Sequence, residues 1–180
     1  THVVLRPGGI LPTDQFVALR EIQALGVSRT FPALTNLEAG SVTVTGAAVV
    51  SLPNLTSFRG SDGTRDCWTV DGVGSVLDLS GLTTLLGGAY ELQIRAKNGG
   101  RVLATNLLDV ASGNVSVWAE GTHSLVDLQS VRTIGQRSLY AKADGTGGRV
   151  DLSRLEAAPG TTGTVTLEAA NGGAVWAPLF

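Results

Sequence analysis

The sequence predicts an all-β fold, a single-stranded parallel β-helix with about 24–25 residues per coil, and three observations predict it. An apolar phrase recurs at near-constant spacing, a second run between the phrases alternates strictly, and glycine pairs close the alternating runs. The phrase is an apolar residue, any residue, Leu or Ala, two residues, an apolar residue, two residues and another apolar one. It reads LDLSGLTTL at 77–85, VLATNLLDV at 102–110, VDLQSVRTI at 126–134 and VDLSRLEAA at 150–158. VSLPNLTSF at 50–58 also fits, PALTNLEAG at 32–40 fits more loosely, and VWAPLF at 175–180 is cut short. Its third position falls at Leu34, Leu52, Leu79, Ala104, Leu128, Leu152 and Ala177, with separations of 18, 27, 25, 24, 24 and 25 residues.

Each part of a coil has a physical reason. Leu92/Ile94/Ala96, Val115/Val117/Ala119, Leu139/Ala141/Ala143 and Val165/Leu167/Ala169 have the period of two that belongs to strands. Gly99–Gly100, Gly147–Gly148 and Gly172–Gly173 follow three of these runs, two of them after Asn, where a tight turn needs positive φ. Stacking coils about 4.8 Å apart places like residues in columns. Leu79, Ala104, Leu128, Leu152 and Ala177 form one internal column, and Leu82, Leu107, Val131, Leu155 and Phe180 a second. One coil alone cannot bury its apolar face, so the coils depend on each other. Coiling is expected to be right-handed, the default for parallel crossovers. A leucine-rich repeat shares the LxxLxL phrase, but the second half of each coil here lacks helical spacing.

Residues 1–30 are read as an N-terminal cap or an irregular first coil, and 31–180 as one continuous solenoid. Thr13 and Asp14 after Pro12, with Phe16, Leu19, Ile22 and a stop at Gly26, suit a capped amphipathic helix. Val17, Leu19, Ile22 and Leu25 equally fit a coil. The chain opens on Thr1 without any Met and stops inside a coil, as expected either of a module excised from a longer protein or of an end that docks on another surface.

Composition narrows the function classes. Hydrophobic residues are 43% and charged ones 16%, with 24 glycines, too apolar for disorder and too glycine-rich for a helical bundle. A net charge of −2 without any Lys/Arg run gives no footprint for nucleic acid, and no apolar stretch is long enough for membrane insertion. Basic residues are nearly all Arg, a bias associated with GC-rich bacterial genomes. The segment 31–60 resembles receptor L-domain β-solenoids, and the GGRVDLSRL-type coils resemble repeats of bacterial secreted or surface β-solenoid proteins. That resemblance implies an extracellular or cell-surface location and adjoining domains of a parent protein.

Function on such a rod must sit on outward residues. Trp118 and Tyr140 are expected outward on adjacent coils, flanked by Arg95 and Lys142, with Trp68 joining them one or two coils earlier. Exposed rings stack on sugar faces, which points to a polysaccharide or cell-surface glycan as partner; the competing and weightier reading is that the rings pack under a loop or against an adjoining domain. Trp176 is expected outward on a different face. Asp127 and Asp151 fall on adjacent coils, at a spacing that suits a retaining glycosidase pair in a β-helix lyase or hydrolase. The competing reading is that they merely solubilise the sheet. No cofactor is expected, and with only His2 and His123 a zinc site or triad lacks material. DGVG at 71–74 and ADGTGG at 143–148 read as glycine turns rather than Ca²⁺ loops. Two structural alternatives remain. Open ends expose strand edges for end-to-end assembly into fibres, and Thr43, Thr45, Thr84 and Thr133 invite an ice-binding reading, against which Ser57, Asp109 and Ala157 interrupt the array.

Overall fold

The computed structural model describes residues 1–136, 138–156 and 164–180. They form a parallel β-solenoid of about six turns with three sheets, here called faces A, B and C. Face A contains His2–Leu5, Ala18–Leu25, Asn36–Thr45, Asp66–Asp71, Leu92–Lys97, Val115–Glu120, Leu139–Asp144 and Val165–Ala170, stacked in chain order. Face B contains Arg29–Thr30, Val49–Ser51, Val76–Asp78, Arg101–Leu103, Leu125–Asp127, Arg149–Asp151 and Ala174–Trp176. Face C contains Ser57–Arg59, Thr84–Leu86, Asp109–Ser112 and Thr133–Gln136. The pairing is parallel throughout, because each coil returns to its starting face before the next begins.

The alternating runs are the strands of face A, and the recurring phrase builds face B, the corner after it and the start of face C. Leu79, Ala104, Leu128 and Leu152 are buried in one column, and Leu82, Leu107, Val131 and Leu155 in the next. Phe180 keeps its place in the second column, its N–H bonded to Ala177 O as Leu82 is to Leu79, but in the last coil it is 52% exposed, and Val165, Leu167, Val175 and Ala177 of that coil are only partly buried. A column residue needs a coil on both sides to lose its water.

The early coils correct the expected register. Phe31 takes the backbone bond to Ser51 that Leu52 takes to Asp78 and Leu79 to Leu103, so Phe31, not Leu34, is the first member of the Leu52 column. Leu34 belongs with Leu55 and Leu82, each closing a turn three residues after its column partner. Apolar residues spaced every three positions make the phrase self-similar under a shift of three, so sequence alone could not fix its phase. Residues 13–25 are not an α-helix. Thr13–Gln15 is a single 3-10 turn, and Ala18–Leu25 is a strand paired with His2–Leu5 on one side and Asn36–Thr45 on the other. Glu21, Gln23 and Leu25 alternate with buried Ile22 and Ala24, so the strand period prevails from here on.

Two corners show how local chemistry shapes a coil. Between faces A and B, Asn98 (φ 49°) and Asn171 (φ 50°) occupy the left-handed region that Asn tolerates. Asn98 Nδ2 donates to Asp71 Oδ1 of the coil before at 2.9 Å, and Asn171 Nδ2 to Asp144 Oδ1 at 2.7 Å. The DGVG and ADGTGG segments are therefore turns whose aspartates receive the next coil's asparagine. Between faces C and A, a Cβ on Gly113 would lie 2.2 Å from Gly87 Cα, so two successive coils meet there backbone to backbone.

Candidate functional site

Face A presents its outward residues in three axial rows. Cys67, Gln93, Ser116, Tyr140 and Thr166 form one, Thr69, Arg95, Trp118, Lys142 and Glu168 the second, and Asp71, Lys97, Glu120 and Asp144 the third. Trp118 and Tyr140 are outward on adjacent coils but in neighbouring rows, their ring centroids 5.8 Å apart and tilted by 58°. The Arg95 guanidinium lies 4.6 Å from the Trp118 ring centroid, one coil before. Arg95 and Lys142 flank Trp118 in its own row, as the alternation predicts.

Trp68 does not join this strip. It is 0% exposed, aligned with Val42 and Ile94, stacked edge-on against Phe58 at 4.7 Å, and its Nε1 donates to Gly40 O at 3.0 Å. The period of two running through Val70 sends Trp68 inward and leaves Cys67 and Thr69 outward. Its indole N–H finds a backbone partner, which makes the burial affordable for so large a polar-tipped side chain.

The strip's polar groups are tied to each other along the axis. Tyr140 donates its hydroxyl to Glu168 Oε2 at 2.6 Å, and Lys142 Nζ stands 2.9 Å from Glu168 and 3.3 Å from Asp144. The Tyr140 hydrogen bond, then Lys142, hold the Glu168 carboxyl below its usual range, and the same bond pushes the Tyr140 phenol up. Hydrogen bonds from Asn171 and then Lys142 lower Asp144, while Glu168 and then Asp144 raise Lys142. Nearer the C–A corner, Ser116 and Gln93 donate to Glu91, and Arg65 Nε lies 3.4 Å from it. Glu168 was missed by sequence reasoning although the 26-residue step from Leu139 to Val165 carries Lys142 onto it.

Face B holds the two aspartates of the expected carboxylate pair. Asp127 and Asp151 are register partners in adjacent coils. Asp151, 8% exposed, accepts Arg149 Nη2 at 2.6 Å on Oδ2 and the Ser153 N–H at 3.0 Å on Oδ1. Asp127 Oδ1 accepts the Gln129 N–H at 3.1 Å. Asp78 Oδ1 does the same for Ser80 N–H at 3.0 Å, although its register partner in the next coil is Leu103 rather than an acid. Each aspartate thus closes the turn two residues on, a local bond that an Asx turn supplies. Trp176 continues the same outward row, aligned with Asp151, and is 53% exposed, with the Arg149 guanidinium 5.9 Å from its ring centroid. Arg149 escaped sequence reasoning; its place two residues before Asp151 on a three-residue strand puts both on the outer side.

One carboxyl faces inward. Asp66, 2% exposed, heads a column shared with Leu92, and its Oδ2 accepts the Ser61 N–H at 2.6 Å across the loop 60–65. Burial pushes its pKa up, opposed by that hydrogen bond. Cys67 is half-buried on face A with Sγ 3.4 Å from Thr69 Oγ1, and His123 sits exposed in a turn at φ 57°. Thr43 and Thr69 align on face A, whereas Thr84 and Thr133 are separated on face C by Asp109, which accepts the Thr133 hydroxyl. Ala157 lies outside the described residues. Among the described residues no group of three His, Cys, Asp or Glu is placed to hold a metal ion. Compared with protein-family models, with curated proteins and with solved structures, the chain finds no match in any of the three.

Proposed function

We propose that this chain is a non-catalytic β-solenoid module of a larger bacterial extracellular or surface protein, acting as a rigid adhesive platform with carbohydrate as its ligand. The observation that carries the reading is that polar side chains outside the core tie neighbouring coils together at several places along the stack. Ser51 binds Asp78, Asn54 binds Pro32 O, Asn98 binds Asp71, Asn106 binds Ser80 O, and Tyr140 with Lys142 binds Glu168. Bonds that span neighbouring coils resist bending and fraying in a protein whose stability is a sum over neighbours. The turn-closing role common to Asp78, Asp127 and Asp151 accounts for the acidic row without catalysis. Native-state hydrogen exchange tests the platform: the central coils should exchange together, near the global unfolding free energy, and independent opening of single coils would oppose it. Release of reducing ends from a polysaccharide, lost in Asp151→Asn, would instead establish the lyase or hydrolase reading.

A further inference from the structure

We infer that Asn98 is a self-modification site: the Gly99 amide nitrogen attacks the Asn98 side-chain amide, ammonia leaves, and the aspartate formed replaces a bond between two coils with a repulsion. Ser124 of the next coil restrains the reaction. The inference goes beyond the adhesive-platform reading and does not depend on it. Asn36, Asn54, Asn106 and Asn114 are each followed by Leu or Val, whereas Asn98 and Asn171 are followed by glycine, the residue that hinders such an attack least. The corner between faces A and B demands that glycine. Gly99 has φ 88°, and a Cβ on it would lie 2.8 Å from Val73 Cγ2 of the coil before. Asn98 itself is exposed, so water reaches the ring that the attack closes.

The step consumes only water. A bond forms between Gly99 N and Asn98 Cγ, the Cγ–Nδ2 bond breaks, and Nδ2 leaves as ammonia with the proton that Gly99 N gives up. Water then opens the cyclic imide, leaving an aspartyl or isoaspartyl residue at position 98. Both reacting ends are held in the folded chain. Gly99 N–H donates to Ser124 Oγ at 3.0 Å, and that buried hydroxyl is oriented by its own bond to Glu120 O at 2.6 Å. A hydrogen bond to the N–H favours the protonated amide, which is not a nucleophile. The Asn98 amide is fixed from two sides. Its Nδ2 donates to Asp71 Oδ1 at 2.9 Å in the coil before, and a Cβ on Gly121 in the coil after would lie 2.8 Å from its Oδ1. The product has no donor for Asp71, so two carboxylates face each other across the gap of one hydrogen bond and repel.

Peptide mapping by mass spectrometry of the folded 180-residue chain, aged in mildly alkaline buffer, tests the site, with Asn171 as an internal reference. Ser124→Ala should speed conversion at Asn98 about fivefold over wild type, the equivalent of one lost hydrogen bond of about 1 kcal/mol, and leave the rate at Asn171 unchanged. No rise at Asn98, or an equal rise at both asparagines, which global opening would give, would overturn the role of Ser124. In urea, where neither end is held, Asn98 should convert faster than in the folded wild type; no conversion there would overturn the site itself. The consequence is tested without Ser124. Asn98→Asp, which supplies the product directly, should lower the urea midpoint of a chain that circular dichroism shows to be folded. Adding Asp71→Asn should restore most of the loss, because it returns an amide–carboxylate pair with the partners exchanged. A midpoint equal to wild type in Asn98→Asp, or no recovery in the double variant, would overturn the repulsion between coils.

Discussion

Trp118 on face A and Trp176 on face B both point away from the core by the same strand alternation, but their surroundings differ. Trp118 lies between Arg95 of one coil and Tyr140 of the next, and its row continues into Lys142. The row neighbour of Trp176 is Asp151, a short side chain whose carboxylate is bound to the Ser153 amide and to Arg149. On a solenoid every outward residue has neighbours about 4.8 Å away along the axis. Trp118 has a coil on either side and long side chains from both cover its ring, whereas Trp176, in the last coil, has a neighbouring strand on one side only. Outward direction alone therefore does not identify a ligand platform.

The tryptophans form a graded series that can break this distinction. The largest effect is expected from Trp68→Ala, which empties a fully buried site and removes the Phe58 contact and the bond to Gly40. Urea unfolding should show a loss of about 3–5 kcal/mol; a loss under 1 kcal/mol would mean that the ring is not a core residue. Trp118→Ala should cost about 1–2 kcal/mol, since a half-buried ring and its cation–π contact with Arg95 are lost. Equal stability of this variant and wild type would show that the face A strip does not bind coil to coil.

Asp66→Asn probes a polar group placed inside rather than outside. Because burial raises the folded carboxyl above its unfolded value, the contribution of Asp66 is most favourable below the ordinary Asp range and is lost as pH rises through its raised folded value. Asn keeps an oxygen for the Ser61 amide without a charge to bury. The variant should gain Tm relative to wild type at pH 7, and the gain should shrink toward pH 4; a gain independent of pH would contradict a buried ionised carboxylate. The smallest effect on stability is expected from Trp176→Ala, within about 0.5 kcal/mol of wild type, so calorimetry should separate it clearly from Trp118→Ala.

Much of the fold was legible because two periods coexist in each coil. The alternation at Leu92, Ile94 and Ala96 fixed a strand, and the threefold spacing of Leu79, Leu82 and Leu85 fixed a turning wall; all six are buried. That same threefold spacing hid the phase of the Phe31, Leu34 and Leu37 coil, where a shift of one step leaves an equally apolar phrase. Trp68 is legible as an inward residue only through the alternation running back from buried Val70, which outranks the tendency of a large polar-tipped ring to reach the surface. The outward positions of Trp118, Tyr140, Arg95 and Lys142 followed from period two, but their diagonal contact and the Glu168 partner depend on coil lengths that vary between 23 and 26 residues on face A from Asp66 onward. The aspartates were legible as outward residues, whereas their bonds to Ser80, Gln129 and Ser153 depend on backbone geometry at the corner.

The central claim is that outward side chains on face A hold coils together while Trp176 does not. Native-state hydrogen exchange on wild type, Trp118→Ala and Trp176→Ala, read at the amides of Leu92–Lys97, Val115–Glu120 and Leu139–Asp144, tests it most directly. Protection in all three strands should fall together in Trp118→Ala and stay at the wild-type level in Trp176→Ala. Unchanged protection in Trp118→Ala, or an equal loss in both variants, would contradict it.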